Sequence, residues 1–356
     1  MKPKSVSKRA KAGKAPSSAT IYDIAARAGV SKSTVSRVLT HNQSVDPKTR
    51  ALVLGVMKDV RFSPSAAARN LSTRSEARIG LVYSNPSVAY FTELLMGALE
   101  GSSRNGAQLV VDRCEAGNLI RAYESARSLV QDGIAGMILA TPLSEEAELI
   151  RELLDNNISI VGVGTSGVRT DLSCVDIDNY RAAYEMVNHL IGLGHRYIGF
   201  VKGHPGLPAS QNRWLGVQAA LKEAGSRAAR PRVVQGYNTY RSGVDAADQI
   251  LSKDRKITAI FASNDDMAAG VMSMAHRKGF NVPQDISVVG FDDTIAGIVW
   301  PELTTVRQPI AEIGATAIQL IMENIRAIRA GAAPKIQNHL IEHTLMIRES
   351  SAPPRQ

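Results

Sequence analysis

Apolar residues in the first part of the chain recur at helical spacing. In Thr20 to Leu39, TIYDIAARAGVSKSTVSRVL, the residues Ile21, Ile24, Ala25 and Ala28 share one face. Thr20 followed by Asp23 makes a capping pattern at the start. Gly29 supplies a residue that can leave the helix at positive φ, and Ser31 restarts the chain as a second N-cap. Val35, Val38 and Leu39 then point one way, and Lys32, Ser33, Ser36 and Arg37 the other. Beyond a loop, Asp46 and Pro47 open a third helix, with an apolar stripe of Leu52, Val53, Val56, Met57 and Val60. The pattern predicts a small three-helix core.

From Arg78 the pattern changes. Short apolar runs at Ile79–Tyr83, Leu109–Val111, Met137–Ala140 and Ile158–Val163 alternate with helical patterns near Phe91–Leu99, Leu119–Val130 and Glu145–Leu154. A second series follows: helix near Tyr180–Leu193, strand Ile198–Val201, helix Gln211–Ala224, strand Ile260–Phe261, helix Met267–Lys278 and strand Ile286–Gly290. This alternation predicts βαβ units with parallel sheets, arranged in two lobes.

Charge separates the two parts. Of a net +9 over 356 residues, residues 1–75 carry 15 Lys and Arg against Asp23, Asp46 and Asp59, a net of +12, so the remainder is at −3. A basic end on a mildly acidic body points to a nucleic-acid module joined to something else. The basic end lacks the large apolar residues of a membrane-surface anchor. No apolar run reaches membrane-spanning length, and the N-terminus has no apolar core of a secretory signal. Cys114 and Cys174 have no metal-ligand spacing, which argues against a disulfide framework or zinc ribbon. A soluble cytoplasmic protein without cofactor or metal is expected. Residues 1–19 have no periodicity and read as a disordered basic tail.

The polar face of the second helix carries short donors and acceptors with two cations and no acid. Such a face can enter the major groove and read base edges without repelling phosphate. Spacing alone fits both a helix-turn-helix and an ordinary helical hairpin. The residues go further. AARAGVSKSTVSRVL, preceded by IYDIA and followed by VDPKTR, closely resembles the DNA-binding head of the LacI/GalR family of bacterial repressors. The resemblance extends through RFSPSAAARNLS, the position of the family's hinge helix, and over a two-lobed body like periplasmic binding proteins. It covers the chain from Thr20 to about Ser350.

Beyond the basic tail at 1–19, the resemblance implies a helix-turn-helix domain at 20–62, a hinge helix and linker at 63–76 and a two-lobed ligand-binding and dimerisation domain at 77–350, which leaves a tail at 351–356. It implies a homodimeric, ligand-controlled repressor of operator DNA, not an enzyme; the alternatives are a solute-binding protein, which predicts a secretion signal and no basic head, and a sugar- or nucleotide-metabolising enzyme, which needs a catalytic constellation. Arg37, Lys32 and Ser33 would read major-groove edges. Thr20, Ser31, Thr34, Ser36 and Thr49 would contact phosphates, with Ile21 and Tyr22 completing the DNA-facing set. Ala68 and Leu71 would enter the minor groove, Leu71 as an apolar wedge.

In the body, Arg213, Asn264 and Asp292 match the family's ligand-contact positions, and Tyr90 or Phe91 its ligand-stacking aromatic. Trp214, Tyr240 and Trp300 are further aromatic candidates. This chemistry suits a sugar or sugar derivative: a guanidinium donates to two hydroxyls, a carboxylate accepts from two, and an amide does both. Ser144 and Asn238 also fall at contact positions. There the family's lactose-responsive member carries a sugar-contacting Asp and a stacking Trp, so a lactose-like specificity is not expected. Two motifs suggest enzymes. Gly162-x-Gly164-x-x-Gly167 follows a strand as a dinucleotide fingerprint would, but VRTD does not open the helix that phosphate binding needs. His339-Leu-Ile-Glu342-His343 fits an inverted zinc-protease pattern, but its branched residues and late position read as strand. No catalytic constellation stands out.

Overall fold

The computed structural model describes residues 21–39, 45–59, 77–114, 118–165, 167–253 and 256–355. Thr20, the basic tail and the hinge segment with Ala68 and Leu71 lie outside these residues. Two units divide the chain, Met1–Ser75 and Glu76–Gln356.

The head consists of α1 (Ile21–Ala28), α2 (Lys32–Leu39) and α3 (Pro47–Asp59). The turn between α1 and α2 uses Gly29 at φ +62°, and the Val30 amide donates back to Ala25 O at 3.0 Å. The left-handed conformation at this position is what glycine allows at least cost. Ser31 caps α2, its Oγ accepting from the Thr34 amide at 3.1 Å. Asp46 caps α3, accepting from the Thr49 amide at 3.0 Å and the Thr49 hydroxyl at 3.1 Å. Those donors hold the Asp46 carboxyl below its ordinary value, the Thr49 amide foremost. The core is Ile24, Ala25, Ala28, Val35, Val38, Val45 and Val53. The expected stripe of α3 needs one correction. Leu52 is 53 % exposed, and Val53, Val56 and Met57 make the buried face. The helix turns its 52–54 side outward on both flanks of Val53.

The body begins with β1 (Ala77–Tyr83), α4 (Val88–Asn105), β2 (Ala107–Arg113), α5 (Leu119–Gln131), β3 (Gly136–Ala140), α6 (Ala147–Asp155), β4 (Ser159–Val163) and β5 (Ser173–Asp176). Next come α7 (Asn179–Gly192), β6 (Ile198–Lys202), α8 (Pro208–Ala224), β7 (Arg232–Gln235), α9 (Tyr240–Lys253), β8 (Ala259–Ala262), α10 (Asp265–Arg277), β9 (Ser287–Asp292) and β10 (Thr304–Arg307). The chain ends with α11 (Ile310–Arg329), β11 (Asn338–Leu340) and β12 (Thr344–Met346).

Among the described residues the strands form two six-stranded sheets, ordered β11-β5-β4-β3-β1-β2 and β12-β10-β9-β8-β6-β7. All pairings are parallel except β10 with β12. Each sheet is one lobe, and each reverses strand order beside its first strand. In such sheets ligands bind at the carboxyl ends around that reversal. The chain passes between lobes after β5, after β10 and between β11 and β12. As expected, HLIEH makes no helix: His339 lies on β11, and His343 follows it, with Nε2 2.9 Å from Glu185 Oε2.

Helix α11 packs on the first sheet and on α4 with almost no side chain between backbones. A Cβ on Gly97 would fall 1.8 Å from Ala311 O, and one on Gly314 2.5 Å from Leu94 O. The expected boundary at residue 350 is also corrected. Ser350 is fully buried, its Oγ donating to Val288 O at 2.6 Å, and the Ala352 amide donates to Ser287 Oγ at 3.0 Å. Residues 351–355 therefore belong to the second lobe. His195 fastens them, its Nε2 2.9 Å from Ala352 O. Cys114 and Cys174 are buried free thiols.

Candidate functional site

On the head, Ser31, Lys32, Ser33 and Arg37 are exposed and Thr34 is half-buried, all at the start of α2 or along one side of it. The hydroxyls cross-link this end: Ser31 Oγ lies 2.7 Å from Ser33 Oγ and 2.8 Å from Thr34 Oγ1. Thr49 lies at the start of α3, its hydroxyl turned to Asp46. Ile21, Tyr22 and Ser36 fall on α1 and α2, described by backbone alone. Ser31 and Thr49 thus serve the helix ends, Ser31 as the cap of α2 and Thr49 as a donor to the cap of α3.

In the body, one cavity collects the carboxyl ends of both sheets. Tyr83, Asn85, Ser87 and Tyr90 come from β1 and the start of α4; Thr141 follows β3; Gly164 follows β4; Asp176 and Asn179 end β5 and begin α7. The second lobe contributes Ser210 and Arg213 from α8, Asn238 after β7, Asp292 at the end of β9 and Gln308 after β10. The enclosed space is about 40 Å³, room for a few waters and less than a sugar needs.

Arg213 organises the cavity. It is 7 % exposed, with Nε donating to Asn179 Oδ1 at 2.9 Å, Nη1 donating to Ser263 O, and Nη1 3.5 Å from Asp292 Oδ1. Its guanidinium carbon lies 3.6 Å from the Phe291 ring centre. Gln308 Nε2 donates to Asp292 Oδ1 at 2.6 Å. Burial pushes the Asp292 carboxyl up to about 7 against the pull of Arg213. Burial likewise raises the Tyr90 phenol, with Asp176 and Asp292 adding to the shift. Asp292 at φ +113° and Asn238 at φ +57° hold left-handed backbone. Non-glycine residues in such conformations cost about 1–3 kcal/mol each and concentrate at binding sites.

Gly164 and Thr165 cradle an internal carboxyl group. The amides of Gly164 and Thr165 each donate to Asp176 at 2.9 Å, and Thr165 Oγ1 donates at 2.7 Å. Burial still pushes Asp176 up to about 7. Across the cleft, Ser87 caps α4 and donates from Oγ to Asp266 Oδ2 at 2.7 Å, joining the two lobes.

Tyr90, Arg213, Asn238 and Asp292 thus line the cavity as the sequence suggests. Three expected residues do not. Asn264 caps α10, accepting from the Met267 amide at 3.0 Å, and its amide nitrogen donates to Asn238 O at 3.3 Å. It supports Asn238 from behind. Phe91 packs on Tyr83 with ring centres 4.3 Å apart. Ser144 is buried in a short turn after β3. Among the further aromatics, Trp214 stacks on Phe200 away from the cavity, while Tyr240 and Trp300 are surface-exposed. Asn85, Ser87, Thr141, Asp176, Asn179, Ser210 and Gln308 were not expected. Most share one signal: a polar residue just past the carboxyl end of a strand.

A helical head for reading DNA, joined to a two-lobed body with a polar cleft, is the architecture of a ligand-responsive gene regulator. Residues 20–65 match the model of bacterial regulatory proteins of the lacI family, and residues 187–351 match a periplasmic binding protein-like domain. The chain is 35 % identical over 340 residues to the HTH-type transcriptional repressor PurR of Pectobacterium carotovorum, covering 94 % of this chain and 96 % of that one. Its fold matches the lac repressor dimer bound to operator and the anti-inducer ONPF, with a TM-score of 0.73, 26 % identity and coverage of 94 % and 100 %. It also matches a complex of the transcriptional regulator CelR with cellobiose, with a TM-score of 0.69, 28 % identity and coverage of 93 % and 99 %. The chain belongs to the LacI family. It is a DNA-binding transcriptional regulator with a ligand-binding body, of a family that acts as dimers on operator DNA under small-molecule control. Among the described residues no helix is long and apolar enough to cross a membrane.

Proposed function

We propose that the cleft binds a small polyhydroxylated ligand, a sugar or sugar derivative, and that this binding sets the operator affinity of the head. The observation carrying this reading is the buried Arg213–Asp292 pair, surrounded by the amides of Asn179, Asn238 and Gln308 and the hydroxyls of Ser87, Thr141 and Ser210. Arg213 donates to neighbouring hydroxyls, Asp292 accepts from them, and the amides do both. Tyr90 offers its ring to the C–H face of a pyranose. A sugar exceeds the cavity as it stands, so entry requires the lobes to part and the Ser87–Asp266 bond to break. Binding then shifts the equilibrium only as far as the ligand favours one lobe arrangement over the other.

On DNA, Arg37, Lys32 and Ser33 read base edges, and Thr20, Ser31, Thr34, Ser36 and Thr49 hold phosphates beside Ile21 and Tyr22. Ala68 and Leu71 act in the minor groove. The protein works in the cytoplasm without catalysing a reaction. Calorimetry of the full chain against a carbohydrate panel, repeated with Arg213→Ala, tests the effector class. Saturable binding of one sugar, lost in the variant, supports it; silence across the panel with binding of a nucleobase would overturn it.

A further inference from the structure

A second polar groove lies at the outer edge of the second lobe, between α8 and the edge strand β7. It spans about 770 Å³ and is lined by Lys202, Trp214, Gln218, Arg230 and Arg232, with no carboxylate among its lining residues. Lys202 Nζ stands 5.0 Å from the centre of the Trp214 ring, which also stacks on Phe200 at 5.3 Å. Among the described residues neither Arg230 nor Arg232 has an ion-pair partner. The Arg232 Nε is shielded from solvent and has no hydrogen-bond acceptor. A shielded donor without a partner is a standing cost that an anion removes.

We propose that this groove is a second ligand site, for a small phosphomonoester whose phosphate lies between Lys202, Arg230 and Arg232. Two guanidinium forks and one ammonium match a group that carries about −1.5 to −2 charges and three acceptor oxygens near neutrality. The site is separate from the cleft but shares a helix with it. On α8, Arg213 enters the cleft and its neighbour Trp214 lines the groove. Occupation of one bears on the other, and any such coupling is reciprocal.

The chain has two tryptophans, so Trp300→Phe in the full-length protein leaves Trp214 as the reporter. Glycerol 3-phosphate and inorganic phosphate are titrated, with glycerol as the uncharged control. The expected result is a saturable change in Trp214 emission with phosphate-bearing probes and none with glycerol. Arg230→Glu, at an exposed position, and Arg232→Gln should each weaken it about tenfold or more, as loss of a charged hydrogen bond does. If inorganic phosphate saturates as well as the ester, the site reads phosphate itself, which upholds the proposal. No saturable response, or a response unchanged in both variants, would overturn it and leave these cations as guards of an edge strand.

Discussion

In the head, Ser31, Lys32, Ser33 and Arg37, which we propose face DNA, are exposed and rest on a core of seven small residues, none larger than Ile24. In the body, the side chains proposed to meet the ligand are themselves buried: Arg213, Asn238 and Asp292 belong to the interior as much as to the cavity lining. The contrast follows from the partner. A duplex brings its own charged surface and comes to the protein, whereas a small ligand must be surrounded. An exposed residue that reads base edges, such as Arg37, can therefore change without disturbing the fold. A residue that reads the ligand cannot, because its partners are left buried and unpaired.

The largest expected effect tests that last point. Arg213→Ala leaves Asp292 without its cation, and removing one member of a buried pair costs about 3–5 kcal/mol. Thermal melting of the body should fall by several degrees while effector binding disappears from calorimetry. An unchanged melt would mean that the pair contributes nothing to the fold. Arg37→Ala should act oppositely. Specific operator binding should drop by about 1–3 kcal/mol, the worth of one bidentate base contact, in a gel-shift series at fixed salt. Melting and effector binding should stay as in the parent. A drop on random duplex of the same size would remove Arg37 from base reading.

A third measurement uses acid. The folded body holds a proton on Asp176 up to about pH 7, whereas the unfolded chain releases it near 3.8. Between those values the folded state binds more protons, so this group adds stability as pH falls from 7 toward 4. Half-buried His189 and buried His195, whose affinity for protons is lowered by desolvation, work in the reverse direction. The measurement is therefore the difference between parent and Asp176→Asn across pH 5 to 8. The parent should gain on the variant as pH falls; parallel curves would show that Asp176 does not titrate there. The smallest effect is Ser31→Ala, which removes a cap and should cost about 1 kcal/mol, confined to the head in a two-transition melt.

Much of this architecture was legible from periodicity. The three head helices, their caps at Ser31 and Asp46, and the alternation of the body follow from apolar spacing. The rest was hidden for physical reasons. Helix α11 is not among these: ten buried positions oppose an exposed polar stripe of Glu312, Gln319, Glu323 and Arg326, an amphipathic spacing open to reading. Strands β5, β7 and β10 have four residues each, too few to display an alternation. With those strands unread, Asp176, Asn179 and Gln308 had no sheet end to belong to. Asn264, Phe91 and Ser144 lie on elements that border the cavity without lining it. A helix cap holds Asn264 and a ring contact holds Phe91, while Ser144 is buried in a short helical turn.

The three passages of the chain between sheets have a consequence for biosynthesis. The first lobe starts at Ala77, yet it waits for α11 and β11, whose last residue is Leu340. At ordinary elongation rates of about 5–20 residues per second that interval is roughly 13–50 s, during which one sheet face is bare of its covering helix. A message cut short after Arg307 would yield no half-working repressor. It would yield a sticky nascent polypeptide for chaperones to hold and proteases to clear.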